Sequence, residues 1–235
     1  MKKILITGIN GFIGRNVARN LLSFNNYEII GTATGKECFN SNIINYIQAE
    51  LGNVNYCECF KNIKNIDAII HIAAKISHDN DDYKLATTNC LGIMQIGKLA
   101  KLLNVKQIIY ISSIPIIGKP INIPITETHP INPLTVYHAS KFFGENCLNL
   151  LNPEIKTFSL RIPSPIGADM PSNKVFSAFI DKCMKNETIT LLGKGGRIQN
   201  YIDTYDITEA IKACLTNINR SGVYNIASPH SYSNL

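Results

Sequence analysis

The sequence predicts an α/β fold in which a parallel sheet is wound with helices on both faces, and two observations carry that prediction. Through the first two-thirds of the chain, short β-branched runs alternate with longer stretches of helical spacing, the pattern of successive βαβ units. At the joint between the first run and the first helical stretch stand three glycines, Gly8, Gly11 and Gly14, where a chain leaving a strand must turn sharply into a helix.

Taken in order, residues 3–7 (KILIT) read as a buried strand. The charged start could suggest a signal peptide, but the apolar run breaks at Thr7-Gly8-Ile9-Asn10-Gly11. Residues 12–22 follow as a helix. Runs 28–32, 68–72, 107–112 and 157–161 read as further strands, with helices over 82–103 and 136–151. Right-handed crossovers then bring the carboxyl ends of these strands to one edge, where doubly wound sheets bind ligands. Beyond Arg161, Pro163 and Pro165 break the alternation. The chain therefore divides into a first domain, 1–161, and a smaller substrate-binding region, 162–235. In the second we expect a helix over 174–186, a strand over 188–191, a glycine-rich turn over 193–196, a helix over 207–217 and a strand over 222–226. The last helix and strand return to the first domain, and the final five residues show no finishing element.

Composition narrows the class. With 235 residues, 45% hydrophobic and 17% charged, the chain can bury a sizeable core and does not read as disordered. The net charge of +6 suits an anionic small-molecule partner, while the basic residues are too dispersed for a nucleic-acid surface. Seven cysteines, odd in number and mostly solitary, argue for a reducing compartment over a disulfide framework. Cys57 and Cys59 form a CxC pair with no second pair at ligand spacing, so no metal is expected. No apolar stretch is long enough to span a bilayer, and the expected location is cytoplasmic.

The glycine turn carries the first piece of chemistry. Gly8 permits the turn off the strand, Gly11 lets backbone approach a pyrophosphate, and Gly14 lets the helix pack closely. The helix amino terminus adds free N–H groups and partial positive charge. The turn therefore reads as a Rossmann-type site expected to take NAD or NADP. An acidic residue roughly 20 positions further on would bind the adenosine ribose. Here Gly31-Thr32-Ala33-Thr34-Gly35-Lys36 carries no carboxylate. Lys36 would tolerate a 2′-phosphate, which leans the reading towards NADP; its alternative role is a solvated loop charge.

Tyr137-His138-Ala139-Ser140-Lys141 supplies the second piece. A phenol and an ammonium four residues apart share one helix face, and the ammonium is expected to lower the phenol's pKa into a range useful for proton exchange. Ser112-Ser113 closes the preceding strand, where a hydroxyl could polarise a substrate oxygen.

Together TGINGFIG, DAIIHIAA, Asn89-Cys90-Leu91-Gly92, IIYISS with Gly118, YHASK, TFSLRIPSPIG, QNYIDTYDITEAI and GVYNIAS resemble the extended short-chain dehydrogenase/reductase superfamily, in its NAD-dependent epimerase/dehydratase family. The resemblance implies Tyr137 as acid/base, Lys141 as the group that lowers its pKa and holds the nicotinamide ribose, and Ser113 as the hydroxyl that orients substrate. Ser113 is preferred to Ser112 because it lies five residues before the glycine matched by Gly118. Gly8, Asn10, Gly11, Phe12, Ile13 and Gly14 would hold the pyrophosphate, and Glu50 and Leu51 would border the adenine. Ile72, Ala73, Ala74 and Lys75 would line the cofactor, with Asn89 and Pro163 as further contacts. Arg197, Gln199 and Asn200 fall where relatives contact a nucleoside-diphosphate sugar, and the helices over 82–103 and 136–151 where relatives form a homodimer.

The chain also departs from the pattern. Gln199 replaces a common arginine, Pro163 an asparagine and Ile117 a tyrosine, and relatives run longer. Ile114-Pro115 stands where dehydratases carry an acidic pair. The expected function is thus an epimerase or ketoreductase acting at a sugar carbinol or ketone. The alternatives are an NADP(H)-dependent reductase of another small carbonyl compound and a non-enzymatic dinucleotide-binding regulator, which would have less reason to keep both Tyr137 and Lys141.

Overall fold

Residues 1–43, 45–151, 153–191, 195–217 and 220–233 are described by a computed structural model. The strand β1 (Lys2–Thr7) shows why the early runs are apolar without alternation. Ile4 and Ile6 point into one core and Leu5 into another, so the sheet is buried on both faces. The helix α1 (Phe12–Ser23) covers the first core with Val17, Ala18 and Leu21. Beyond it, β2 (Tyr27–Ala33) pairs parallel with β1, and β3 (Asn45–Gln48) parallel with β2. The four-residue β3 was not expected; it is half exposed at the sheet edge, so it lacks the buried run that betrays a central strand.

The strand β4 (Ala68–His71) lies on the other side of β1. The predicted 82–103 helix is present as α2 (Tyr83–Ala86), one wide π turn over Thr87–Leu91, and α3 (Gly92–Leu102). Then come β5 (Gln107–Ser113), α4 (Val136–Asn149) and β6 (Lys156–Ile162). Ile93, Ile96 and Leu99 of α3 and Leu148 of α4 fill the second core.

The remaining elements are β7 (Ser164–Ile166), α5 (Val175–Met184), β8 (Ile198–Asp203), α6 (Thr204–Thr216), β9 (Gly222–Asn225) and β10 (Ser231–Ser233). The large sheet runs β3-β2-β1-β4-β5-β6-β9, all parallel, and its order reverses between β1 and β4. A second sheet runs β10-β8-β7. α6 packs on α1, and Ile207, Ile211 and Leu215 complete the first core.

Two expectations for the second region are corrected. Residues 188–191 are not a strand; the strand forms later, as β8, because its backbone finds partners in β7 and β10. Residues Ser231–Ser233, expected to hold no element, form β10 and pair antiparallel with β8, while Asn234 and Leu235 lie outside the described residues. Of the predicted glycine-rich turn, Gly193 and Lys194 lie outside the described residues. α6 begins three residues earlier than expected because Asp203 caps it, its carboxylate accepting the Tyr205 N–H at 2.6 Å.

Candidate active site

A cavity of about 1170 Å³ opens at the carboxyl edge of β1, β4 and β5, beside the point where strand order reverses, and the second sheet walls its far side. Its floor is the glycine turn. Gly8 has φ +69, and a Cβ there would lie 2.7 Å from Ala73 Cα, so the turn and the end of β4 touch backbone to backbone. A Cβ on Gly14 would fall 2.2 Å from the Gly8 carbonyl oxygen. Gly14 thus packs α1 against the turn itself. Thr7 holds this crossing: its Oγ1 accepts the Ile72 and Ala73 N–H groups at 3.2 Å and bonds His71 Nδ1 at 2.7 Å. Burial, with Lys141 adding to it, pushes His71 down to about 3, so it is neutral.

Gly8, Asn10, Gly11, Phe12, Ile13 and Gly14 all line the cavity. No side chain caps the α1 amino terminus and no acid stands in its first turn, which leaves its N–H groups available to an anion. Asn10 lines the cavity and has structural contacts as well. Its amide donates to Glu37 O at 2.7 Å and its Oδ1 accepts the Phe39 N–H at 3.1 Å, so the side chain also ties down the segment after β2.

At one end, Glu50 and Leu51 line the cavity as expected, together with Thr32, Thr34 and Tyr56. Lys36 does not: it is exposed and outside the lining, because the segment after β2 turns away through Asn10. Ile72, Ala73, Ala74 and Lys75 line the wall beyond β4. Asn89 lies outside the cavity lining. Its amide accepts the Lys75 N–H at 2.8 Å and donates to Lys75 O and Ser140 Oγ at 3.0 Å, so it braces the wall from behind. Lys75 itself pairs with Asp82 at 3.2 Å.

Ser113, Tyr137 and Lys141 meet on one wall. β5 ends at Ser113, and α4 starts at Val136 under a Thr135 cap, whose hydroxyl accepts the His138 N–H at 3.2 Å. Lys141 is buried, donates to Ile111 O at 2.8 Å, and lies 5.9 Å from the Tyr137 ring centre. The expected lowering of the phenol's pKa is absent. Burial pushes Tyr137 up to about 12 and draws Lys141 down to about 7, with Glu145 opposing the latter. Both groups are desolvated, and each favours its neutral form.

Ser112 has another task. Its hydroxyl donates to Glu145 Oε1, and Glu145 accepts Arg161 Nε at 3.0 Å and Nη2 at 2.8 Å. Arg161 Nη1 reaches Glu127 O at 3.2 Å. This buried clamp joins β5, α4 and β6 directly behind the Ser113 and Lys141 wall. The sequence reading missed it; a glutamate one helical turn beyond Lys141 was the available signal.

Pro163, Arg197 and Gln199 line the opposite side, with Lys174, Phe176 and Tyr201. Gln199 donates to Ser164 Oγ at 3.0 Å and accepts from the Tyr201 hydroxyl at 3.2 Å. Arg197 is exposed. Among the described residues no group of three or more His, Cys, Asp or Glu could hold a metal ion, and no helix is long and apolar enough to cross a membrane.

Fold and cavity together define a doubly wound α/β protein with an anion-ready glycine turn facing a Ser, Tyr and Lys wall. The profile of the NAD dependent epimerase/dehydratase family matches residues 4–227, and the chain belongs to that family of enzymes. It is 32% identical over 88% of its length to a putative UDP-glucose 4-epimerase of Methanocaldococcus jannaschii, and 30% identical over its whole length to a dTDP-D-glucose 4,6-dehydratase of Dictyostelium discoideum. It spans 71% of the first relative and 60% of the second. Among solved structures, a UDP-N-acetylglucosamine 4-epimerase from Methanobrevibacter ruminantium superposes with TM-score 0.87 at 21% identity, covering 99% of this chain and 78% of that one. The Thermus thermophilus UDP-glucose 4-epimerase in complex with NAD gives 0.85 at 20% identity, covering 99% and 79%.

Proposed function

We propose that this chain is an NAD(P)-dependent enzyme acting on a nucleoside-diphosphate sugar, as a 4-epimerase or ketoreductase. One observation carries the reading: the uncapped glycine turn, the Ser113, Tyr137 and Lys141 wall, and the Arg197 side all face a single cavity. The names of the relatives, epimerases and dehydratases of nucleotide sugars, support the substrate class. Among those two activities the epimerase fits better, since Ile114 and Pro115 follow Ser113 and bring no carboxylate.

In this reading the glycine turn and the α1 amino terminus bind the pyrophosphate, and Ala73 to Lys75 support the nicotinamide half. The nicotinamide supplies a hydride acceptor or donor at the reacting carbon, and its oxidised ring brings positive charge. Added charge at that wall lowers the phenol's pKa, which burial alone holds at about 12. Ser113 orients the substrate oxygen, Tyr137 exchanges its proton, and Lys141 holds the ribose. Arg197 and Lys174 offer cations to the substrate diphosphate. The enzyme acts as a homodimer through the exposed Leu91, Met94, Phe143 and Leu150. Its seven cysteines are all free, in keeping with the cytoplasm.

The test is mass spectrometry of ligand released from the purified protein, followed by turnover of a nucleotide-sugar panel with NAD and NADP. An epimerase shows no net change at the nicotinamide absorbance, whereas a ketoreductase consumes NADPH. Tyr137→Phe should lower kcat by about 100- to 10,000-fold while dinucleotide binding persists. A wild-type protein that binds neither dinucleotide would sink the reading.

A further inference from the structure

The dinucleotide and the substrate diphosphate do not account for every basic group in the cavity. Lys141 is assigned to the nicotinamide ribose, and Arg197 and Lys174 to the diphosphate on the side of the second sheet. Lys75 is paired with Asp82. That leaves His138, His78 and Lys84, which line the cavity on the Tyr137 side. Among the described lining residues the one acid is Glu50, and it stands at the opposite end, beside Leu51.

His138 follows Tyr137 in the first turn of α4, and its ring packs edge-on to the Tyr137 ring with centres 5.3 Å apart. Thr135 fixes one end of the imidazole. Its hydroxyl oxygen accepts the His138 backbone N–H at 3.2 Å and lies 2.9 Å from Nδ1, so Nδ1 is occupied and Nε2 is the nitrogen left for a ligand. His78 comes from the segment between β4 and α2, which Asn80 ties to α4 by accepting the Val136 N–H at 3.2 Å. Lys84, in α2, is exposed. The two histidines are close enough to oppose each other's charge: burial first, and His78 second, hold His138 below the ordinary imidazole range. An anion beside the rings would turn that repulsion into attraction for both.

We propose that His138 and His78 are specificity-determining residues that bind a carboxylate carried by the sugar beside the reacting carbon, with Lys84 adding charge. The reacting carbon must meet the Tyr137 hydroxyl, so a substituent on a neighbouring carbon comes next to the His138 ring. A neutral hexose would bring a hydroxyl there, for which one neutral partner is enough. A carboxylate accepts several charge-assisted hydrogen bonds, and a cluster of basic groups suits it. With reaction at C4, the acid can stand at C6, as in a uronic acid, or on a lactyl ether at O3. The assignment rests on the nucleotide-sugar reading of the cavity and narrows it to acidic sugars.

The experiment is steady-state turnover with the dinucleotide that the wild type binds. It sets glucuronate against glucose and N-acetylmuramate against N-acetylglucosamine, each as its UDP and dTDP conjugate. The wild type should favour the acidic member of at least one pair by about ten-fold or more in kcat/KM, and the pair that responds tells where the acid stands. His78→Asn and His138→Asn should each reduce that preference about five- to ten-fold, since asparagine offers nothing at the Nε2 position. A loss of packing alone would lower both members of a pair together and leave their ratio unchanged. His78 is exposed, so its variant carries the test even where His138→Asn does not fold. Neutral sugars turned over as well as both acids, or a preference unchanged in the variants, would overturn the assignment and leave the nucleotide-sugar function in place. If no nucleotide sugar is turned over, the fault lies in that function, and this assignment falls with it.

Discussion

The two sheets that face each other across the cavity are built on different scales. The seven-stranded sheet is covered on both faces, and a buried arginine and glutamate lock its strands behind the Ser113 and Lys141 wall. The three-stranded sheet is thin: β10 is exposed throughout, Ile202 is the one buried residue of β8, and α5 beside it buries none of its residues. Hydrogen bonds do much of the holding there, as where Asn200 donates to Ser228 O and His230 O at 2.8 Å. The side that would carry the hydride and proton chemistry is preset by packing. The side that would meet the sugar nucleotide is presented on a light frame, where residues can differ at small cost to the fold.

Substitutions in each region can break or sharpen that contrast. The largest effect is expected from Arg161→Met, which strands a buried Glu145 without its cation and should cost about 3–5 kcal/mol in chemical denaturation. The pair linking the two regions, Arg19 with Asp169, is 43% exposed on each side, and Arg19→Ala should cost about 0–1 kcal/mol. Equal losses would show that the two regions are locked together as firmly as the large sheet is within itself.

A second test uses pH. Lys141 has a folded-state pKa near 7 against 10.5 when free, so the unfolded chain holds a proton that the folded chain gives up across that window. Ligand-free stability attributable to Lys141 should therefore rise as pH goes from about 7 to 10.5, and be lost as pH falls back. Tyr137 acts in the opposite sense from about 10 to 12, because the folded chain then keeps its proton longer. Lys141→Met should remove the first slope and leave a ligand-free protein more stable than wild type at neutral pH. Parallel stability profiles for wild type and variant would contradict the burial of this ammonium.

The smallest effect belongs to α5. Ile180 is 48% exposed and Met184 81%, and changing either to serine should shift stability by no more than about 0.5 kcal/mol. A larger loss would mean that this helix is covered in solution and that the second region is firmer than its own contacts suggest.

The legible part of this protein was the part written in local signals. β1, β4, β5 and β6 were readable because a strand buried on both faces is an unbroken β-branched run, and Gly8 and Gly14 because a Cβ there would fall 2.7 and 2.2 Å from neighbouring backbone atoms, which leaves no room for a side chain. β3, β8 and β10 escaped because short, half-exposed strands carry no such run; their pairing comes from neighbours. In the cavity, the positions of Ser113, Tyr137 and Lys141 were readable, but their electrostatics were not. A spacing of four residues places an ammonium near a phenol and says nothing of how deeply both are buried.

By itself, then, the sequence determined the alternation of elements, the glycine turn and the residues able to do chemistry, because periodicity, glycine and side-chain type act within a few residues of chain. Tertiary structure alone decided that Asn10 and Asn89 serve as braces, that Lys36 stays outside the cavity, and that Ser112 is taken by Glu145, 33 residues away. Each of these depends on what another element brings into contact, and burial then sets the strength of every charge and hydrogen bond involved.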